Sequence, residues 1–115
     1  MDPTQTDPEL YKVIFENARV RVLEYRDRPG DRTLPHTHPD SVMVTLSGFR
    51  RRIHAGDRSV DLELAAGEVR WLGAQEHAGE NIGDTGTATI FVELKEPAPT
   101  AAAPTAAAPA PLGPS

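Results

Sequence analysis

The sequence predicts an all-β protein, a small antiparallel β-barrel. Apolar residues recur with a period close to two through most of the chain, the period of a strand with one buried face. Glycine-rich turns separate these segments at near-regular spacing, as they do in antiparallel barrels and sandwiches. No window shows the apolar stripe of an amphipathic helix. Closing the sheet into a barrel also removes the exposed strand edges of so short a chain.

The strands of the first half are predicted from alternation and from the turns between them. "RVRVLEYR" (19–26) alternates arginine with valine, which predicts that the valines are buried and that Arg21 faces out. "DRPGDR" (27–32) has the composition of a turn. Pro35 and Pro39 each disfavour helix in the residue before them, so this stretch is predicted to be extended. The predicted strands of this half are residues 12–17, 19–26, 33–38, 41–47 and 49–54.

The second half continues the pattern with a hairpin. "AGDR" (55–58) reads as its turn, and the return strand alternates Val60, Leu62 and Leu64. "AAGE" (65–68) turns again into a strand in which Trp71 shares the parity of Val69 and is expected in the core. "DTG" (84–86) is the last predicted turn. The predicted strands of this half are residues 59–64, 69–72, 77–83 and 87–94.

The composition divides the chain into one domain and two ends. Residues 96–115 hold six of the eleven prolines and almost no large apolar side chain, which predicts a disordered tail rich in proline and alanine. Residues 1–8 are predicted to be a flexible N-terminal arm. Residues 9–95 remain as a single barrel domain, long enough to fold alone if its core is compact.

Charge and cysteine content exclude several function classes. The net charge is −5 and the signs are interspersed, so nothing resembles the basic footprint of a nucleic-acid-binding protein. The chain has no cysteine, which excludes disulfides, thiolate metal sites and a cysteine nucleophile. There is no signal-peptide pattern and no run approaching the roughly 20 apolar residues of a membrane span. We therefore expect a cytoplasmic protein whose partners are neither nucleic acid nor membrane.

Three histidines are the main candidates for chemistry. His36 and His38 are two residues apart, so on a strand they project from one face, as two ligands of one metal ion do. His77 opens another predicted strand, and two non-adjacent strands of a barrel can converge on one interior point. Imidazole is the commonest protein ligand of transition metals. The alternative is that these histidines are exposed or only line the core. His54, beside the 55–58 turn, is expected to be solvated.

The two histidine segments resemble the two signature motifs of the cupins, small conserved β-barrels. The first motif is matched by Gly30, five residues, His36-Thr37-His38, and a closing Gly48. The second is matched by Gly67 and, after a turn, by His77 and Asn81 with three residues between them. Its usual P-x-G turn is replaced by "GAQ" (73–75) and is one residue shorter. The resemblance covers about residues 20–94, nearly all of the predicted domain.

The resemblance implies a double-stranded β-helix with a jelly-roll-like arrangement of strands. It also implies a metal site made by His36, His38 and His77, a divalent cofactor such as iron, zinc, nickel or manganese, and a homodimer. The glutamate that is normally a fourth cupin ligand is missing, because the positions that count as its own hold Ser41, Val42 or Met43. Small cupins with three-histidine sites exist, including dioxygenases, so this loss does not exclude a metal.

Two classes of function follow from such a site. Three neutral imidazoles leave a divalent ion its full charge, which favours a small anionic or chelating ligand, a carboxylate or a dicarbonyl. The chain could be a non-haem iron dioxygenase or a metal-assisted isomerase or lyase. The alternative is a non-catalytic module that binds or senses a small ligand, because no residue stands out as a base. Glu76 is either that base or a solvated loop residue, and Asn81 is either a partner of His77 or a turn cap.

Overall fold

The computed structural model describes residues 1–96, which form two antiparallel sheets and one short helix. The all-β prediction is confirmed, and each predicted strand has a counterpart within a few residues. The extended segment 33–38 contributes only three residues to a strand. The elements are α1 (Pro3–Thr6), β1 (Tyr11–Glu16), β2 (Val20–Arg26), β3 (His36–His38), β4 (Ser41–Thr45), β5 (Phe49–Ala55), β6 (Arg58–Leu64), β7 (Val69–Leu72), β8 (Gln75–Asn81) and β9 (Ala88–Leu94).

The two sheets enclose the core between their inner faces. One sheet has five strands in the order β1-β2-β9-β4-β7, and the other has four in the order β3-β8-β5-β6. Strands distant in sequence are therefore neighbours, as β2 and β9 are. The sheets meet over large side chains supplied mainly by the five-stranded sheet. The buried cluster consists of Tyr11, Leu23, Tyr25, Met43, Phe49, Leu64 and Phe91.

The facing of β2 and β7 differs from the sequence prediction. Leu23 and Tyr25 are buried at 0% and 2% exposure, and Arg21 shares their inward parity. The prediction that Arg21 faces out is therefore wrong. Trp71 is 48% exposed, so its predicted place in the core is also wrong. Both errors have one cause: the outer face of this sheet is apolar too, so alternation alone does not tell which face is inside.

The first residues lie against the barrel. Asp2 caps α1 by accepting a hydrogen bond from the Thr4 amide, and Pro3 is buried. The Thr37 amide of β3 donates to the Met1 carbonyl at 2.7 Å. Residues 1–8, predicted as a flexible arm, contain this short helix, and Met1 contacts the histidine strand. The tail predicted for residues 96–115 lies, apart from Glu96, outside the described residues. No helix within residues 1–96 is long and apolar enough to cross a membrane.

Candidate metal centre

The structure brings the three predicted histidines into one cluster. β3 pairs with β8 in antiparallel register, and His36 lies directly opposite His77. His38 projects from the same face of β3 two residues later. The ring centroids are 4.6 Å apart for His36 and His38, 5.1 Å for His36 and His77, and 4.9 Å for His38 and His77. The convergence predicted for two non-adjacent strands is thus achieved by two strands that pair directly.

Each imidazole has an acceptor for its Nδ1 atom. His36 Nδ1 lies 2.9 Å from the Leu34 carbonyl oxygen, and His77 Nδ1 lies 3.0 Å from Gln75 Oε1. The Gln75 amide is oriented for this role, because its Nε2 donates to the Gly73 carbonyl. Acceptors at all three Nδ1 atoms place the proton there and leave the Nε2 lone pairs available. The acceptor for His38 Nδ1 is a carboxylate.

That carboxylate is Glu93, on the last strand. Its Oε2 lies 3.3 Å from His38 Nδ1, and the residue is only 3% exposed. Its Oε1 accepts a hydrogen bond from Arg21 Nε at 2.9 Å and forms an ion pair with Arg21 Nη2 at 2.7 Å. Arg21 in turn binds Asp2 at 2.6 Å. A buried charge needs such pairing, and the chain of contacts fixes the orientation of the His38 ring.

The remaining Nε2 atoms fit a metal ion. His36 Nε2 and His38 Nε2 are buried and have no hydrogen-bond partner among the described residues. Buried polar atoms are rarely left unpaired in folded proteins, so two of them side by side indicate a missing partner. The three histidines offer ligand atoms that all lie within 4.8 Å of one another. Neutral imidazoles in such a group are suitable ligands for zinc, iron or nickel.

Burial keeps two of these rings neutral. Desolvation, with the neighbouring His38 as the next cause, lowers the pKa of His36 to about 4. The same causes, with His36 and Arg51 adding to them, lower the pKa of His77 to about 3. Around neutral pH both rings are unprotonated, which is the state that binds a metal. Aromatic side chains hold the cluster in place: Tyr11 meets His36 edge-on at 5.5 Å, and Phe91 stacks on His38 at 5.6 Å.

Other sequence candidates lie away from the cluster. His54 Nε2 bonds Glu80 at 3.0 Å on the barrel surface, in keeping with the solvated position expected for it. Asn81 accepts from the Gly83 amide and donates to Asp27 and to the Thr85 carbonyl, so of its two predicted roles the turn cap holds. Glu76 is exposed and lies opposite Thr37, whose side chain has the reverse parity to His36. A role for Glu76 as base is therefore not supported.

The cupin resemblance gives three candidate positions for a fourth ligand, and these differ in the direction they face. Ser41 and Met43 are buried on the inner face of β4, whereas Val42 has the opposite parity. Met43 lines the same cavity as His36 and His77. Met43 thus occupies the candidate position that faces the cavity beside the histidines.

The cluster opens into a cavity of about 240 Å³ inside the barrel. Two wider depressions, of about 770 and 670 Å³, lie elsewhere and include none of the three histidines. The inner cavity has few polar groups, among them Arg51, Thr89 and Gln75. Its apolar and aromatic lining consists of Tyr11, Tyr25, Met43, Phe49, Ile53, Val60, Leu62, Leu64, Leu72 and Phe91.

Two groups at this site were missed by the sequence reasoning. Glu93 was read only as part of the last strand, although an acidic residue at an inward position of "TIFVEL" is a signal for a buried partner. Sequence spacing gives Gln75 no role, because it stands in the altered turn just before His77. Their roles depend on which ring nitrogen they meet, and spacing along the chain does not show that.

Comparisons with known proteins find structural relatives. No protein-family model matches the sequence, and no curated protein matches it. A cupin domain from Bordetella pertussis Tohama I is similar at 29% identity, with a TM-score of 0.71, over 76% of this chain and 93% of that chain. A double-stranded β-helix domain protein from Klebsiella pneumoniae is similar at 23% identity, with a TM-score of 0.60, over 74% of this chain and 75% of that chain.

A third similar structure is a polyketide cyclase from Streptomyces resistomycificus, at 18% identity and a TM-score of 0.59, over 77% of this chain and 66% of that chain. At identities of 23% and 18% the last two show the fold alone. Their double-stranded β-helix fold agrees with the two antiparallel sheets of this chain. On the architecture, the motif spacing and the likeness to the Bordetella domain, this chain has the double-stranded β-helix fold of the cupins.

Proposed function

We propose that this cupin binds a divalent metal ion through His36, His38 and His77 and holds a small anionic or chelating metabolite in the adjoining cavity. The observation that carries the proposal is the pair of buried Nε2 atoms, on His36 and His38, that have no partner within residues 1–96 and lie in one cluster with His77. A divalent ion bound there keeps its full charge, because all three ligands are neutral, and polarises an oxygen donor of the ligand. Small carboxylates and dicarbonyls are the class that this chemistry favours.

The rest of the cavity contributes binding and exclusion of water. Its lining is largely apolar, which suits a small organic body more than a free ion. Tyr11 is 6% exposed, and burial raises the pKa of its hydroxyl above its usual range. It therefore stays protonated and serves as a wall beside His36 and not as a base.

A metal site of this kind could belong to an enzyme or to a non-catalytic binding module. Among the described residues that line the cavity, none is a carboxylate, so no protein group is placed to act as a dedicated base. A dioxygenase with iron needs no such base, whereas an isomerase or lyase does. The second candidate, a non-catalytic binding or sensing module, is favoured by the same observation. The cupin fold is compatible with either, because function resides in the site.

Calorimetry with an oxo acid tests the binding function. We expect zinc-loaded protein to bind 2-oxobutanoate saturably, because this probe is a small anion with oxygen donors for the ion. Metal-free protein and zinc-treated His77→Ala should bind it at least about tenfold more weakly, since they lack the charge that attracts it. Equal affinity in all three samples would remove the metal from the proposal.

Oxygen uptake then separates the enzyme from the module. Protein loaded with iron(II) or manganese(II) is mixed with 2-oxobutanoate or a β-dicarbonyl under air. Sustained consumption of oxygen, or conversion of the probe, supports an enzyme. Saturable binding with no product supports the ligand-binding module.

We also propose that the chain assembles as a homodimer through the outer face of the five-stranded sheet. An apolar row crosses all five strands there in register: Phe15, Val22, Val92, Val42 and Trp71. Its two end residues, Phe15 and Trp71, are 54% and 48% exposed. A contiguous apolar patch of this kind is typical of an interface, and a flat face can meet a second copy of itself about a twofold axis.

A further inference from the structure

Arg51 supplies a permanent positive charge to the wall of the barrel cavity. It lies on β5 with the inward parity of Phe49 and is 9% exposed. Its neighbour Arg50 has the opposite parity and is exposed. Among the described residues that line the cavity, Arg51 is the one lysine or arginine. A cation in a largely apolar wall needs a counter-charge or a ligand.

Half of the Arg51 guanidinium is held by the protein. Nη1 donates to Asp27 Oδ2 at 2.6 Å and to Thr87 Oγ1 at 3.1 Å. The plane lies near the Tyr25 ring, with Cζ 5.0 Å from the ring centroid. Asp27 is itself fixed, because its Oδ1 accepts from Asn81 Nδ2 and from the Thr87 amide, both at 3.0 Å. Arg51 is therefore pre-oriented, and side-chain freedom has already been lost before any ligand binds.

The other half of the guanidinium has no partner of this kind. Both side-chain hydrogen bonds that Arg51 makes within residues 1–96 come from Nη1, so Nη2 and Nε are available to donate. Gly79 on β8 makes the room for Nη2: a Cβ there would lie 2.8 Å from it. The φ of Gly79 is not in the left-handed region, so the backbone does not require glycine. The absent side chain leaves Nη2 in the cavity wall, which Gly79 also lines.

Thr89 provides a second unused polar group in the same cavity. It is 1% exposed, and its Oγ1 has no hydrogen-bond partner among the described residues. Thr89 lies on β9 and points into the barrel. Its Cα pairs with that of Tyr25 on β2. Tyr25 is the ring over which Arg51 lies, so both unused groups belong to one part of the wall. A buried hydroxyl without a partner is unfavourable unless a ligand or water meets it.

We propose that Arg51 and Thr89 form a carboxylate subsite, and that the ligand of this cupin is a short-chain monocarboxylate. A guanidinium edge with two free donors matches a carboxylate in geometry and charge, and the threonine hydroxyl adds a third donor. Asp27 already balances part of the arginine charge, which favours one carboxylate over two. The cavity of about 240 Å³ is smaller than the roughly 300–1,000 Å³ of pockets for drug-sized ligands. The inference rests on the proposed function, in which an oxygen group at the other end of the ligand binds the metal.

Binding to metal-free protein isolates this subsite from the metal. The full chain, treated with chelator, is titrated with butanoate and with the neutral isostere butanamide, and binding is followed by amide chemical shifts in NMR. We expect butanoate to bind at least about tenfold more tightly than butanamide, since only the anion pairs with Arg51. Equal binding of the two, or no binding of butanoate, would overturn the inference.

Variants test whether butanoate binding depends on Arg51 and Thr89. Thr89→Val should weaken butanoate binding severalfold without lowering the thermal midpoint, because the hydroxyl it removes has no partner in the protein. Gly79→Ala should weaken it as well, by displacing Nη2. Arg51→Met risks leaving Asp27 unpaired and unfolding the chain, so Arg51→Lys is used to keep the charge and lose the fork. Arg50→Met is the matched control and should change nothing. Unaltered butanoate binding by Thr89→Val and Arg51→Lys would reject the subsite.

A zinc titration of the same samples keeps this inference distinct from the proposed function. Discrimination between butanoate and butanamide without any zinc binding would retain the subsite and reject the metal site. Zinc binding with no such discrimination would retain the metal site and reject the subsite.

Discussion

At the scale of single residues, the Nδ1 partners determine which ring nitrogen each of the three histidines leaves free. The Leu34 carbonyl, Gln75 and Glu93 each accept from one ring, which leaves the three Nε2 atoms available to a metal ion. Sequence spacing identified the three histidines, because a two-residue interval on a strand and the cupin motifs are both local. It did not identify Glu93, which is 55 residues from its partner His38. Such a contact depends on strand pairing and facing, and neither can be counted along the chain.

Glu93→Gln should weaken zinc binding by about 10- to 100-fold. The change removes the charge that orients His38 and raises its basicity as a ligand, and effects of this size are typical for partners of metal ligands. It also leaves Arg21 with Asp2 as its one remaining acidic partner, so some stability should be lost. Competition with a zinc-binding dye measures the affinity. Glu76→Gln, an exposed change beside His77, is the control; an effect of equal size there would refute the role of Glu93.

The metal-free protein should lose stability as the pH falls from about 6.5 to about 4. In this window the unfolded chain takes up protons at His36 and His77, whereas the folded chain does not, because their folded pKa values are about 4 and 3. His36 alone corresponds to about 3 kcal/mol, at roughly 1.4 kcal/mol per pKa unit. Urea unfolding at a series of pH values measures the loss. The variant His36→Gln/His77→Gln should show a shallower slope, and an identical slope would contradict the assignment.

At the scale of the elements, strand positions were predictable and strand facing was not. Alternation and turn composition located the strands, but Arg21 and Trp71 were assigned to the wrong faces. The five-stranded sheet carries apolar residues on both faces, so Val22 and Leu23, although adjacent and both apolar, lie on opposite sides of it. Facing therefore has to be read from what each side meets in three dimensions.

The facing of β4 leads to a test with two adjacent positions. Met43→Glu should place a carboxylate in the cavity beside His36 and His77, tighten zinc binding as a fourth ligand, and weaken 2-oxobutanoate binding by lowering the charge of the ion. Without metal it should be destabilised, since the carboxylate is then buried without a partner. Calorimetry measures both affinities. Val42→Glu, on the outer face, should leave zinc affinity unchanged; a gain in Val42→Glu and none in Met43→Glu would show that the facing is reversed.

At the scale of the whole molecule, the two faces of the five-stranded sheet have different proposed roles, ligand binding inside and dimer formation outside. The inner face closes the cavity with the four-stranded sheet, and the outer face presents the apolar row that ends in Phe15 and Trp71. The sequence predicted the barrel and, through the cupin resemblance, a dimer. It did not predict the cavity or the network of Asp27, Arg51 and Asn81. These depend on how the two sheets lie against each other.

Trp71→Lys should shift the protein from dimer to monomer. A lysine in the apolar row would have to be buried in the interface without a partner, which costs several kcal/mol. Sedimentation velocity at micromolar concentrations measures the change. Leu34→Lys is the control, because Leu34 is 59% exposed and lies away from this sheet. A monomeric wild-type protein, or a dimer unaffected by Trp71→Lys, would contradict the proposed interface.

The zinc content of histidine variants tests the central claim most directly. Protein without an affinity tag is loaded with zinc, dialysed and analysed for the element, with circular dichroism to verify that each variant is folded. Wild type and His54→Ala should retain one ion per chain, because His54 bonds Glu80 at the surface and takes no part in the cluster. His36→Ala, His38→Ala and His77→Ala should each lose most of it. Equal zinc in all five folded proteins, or loss in His54→Ala alone, would contradict a three-histidine metal site in the barrel.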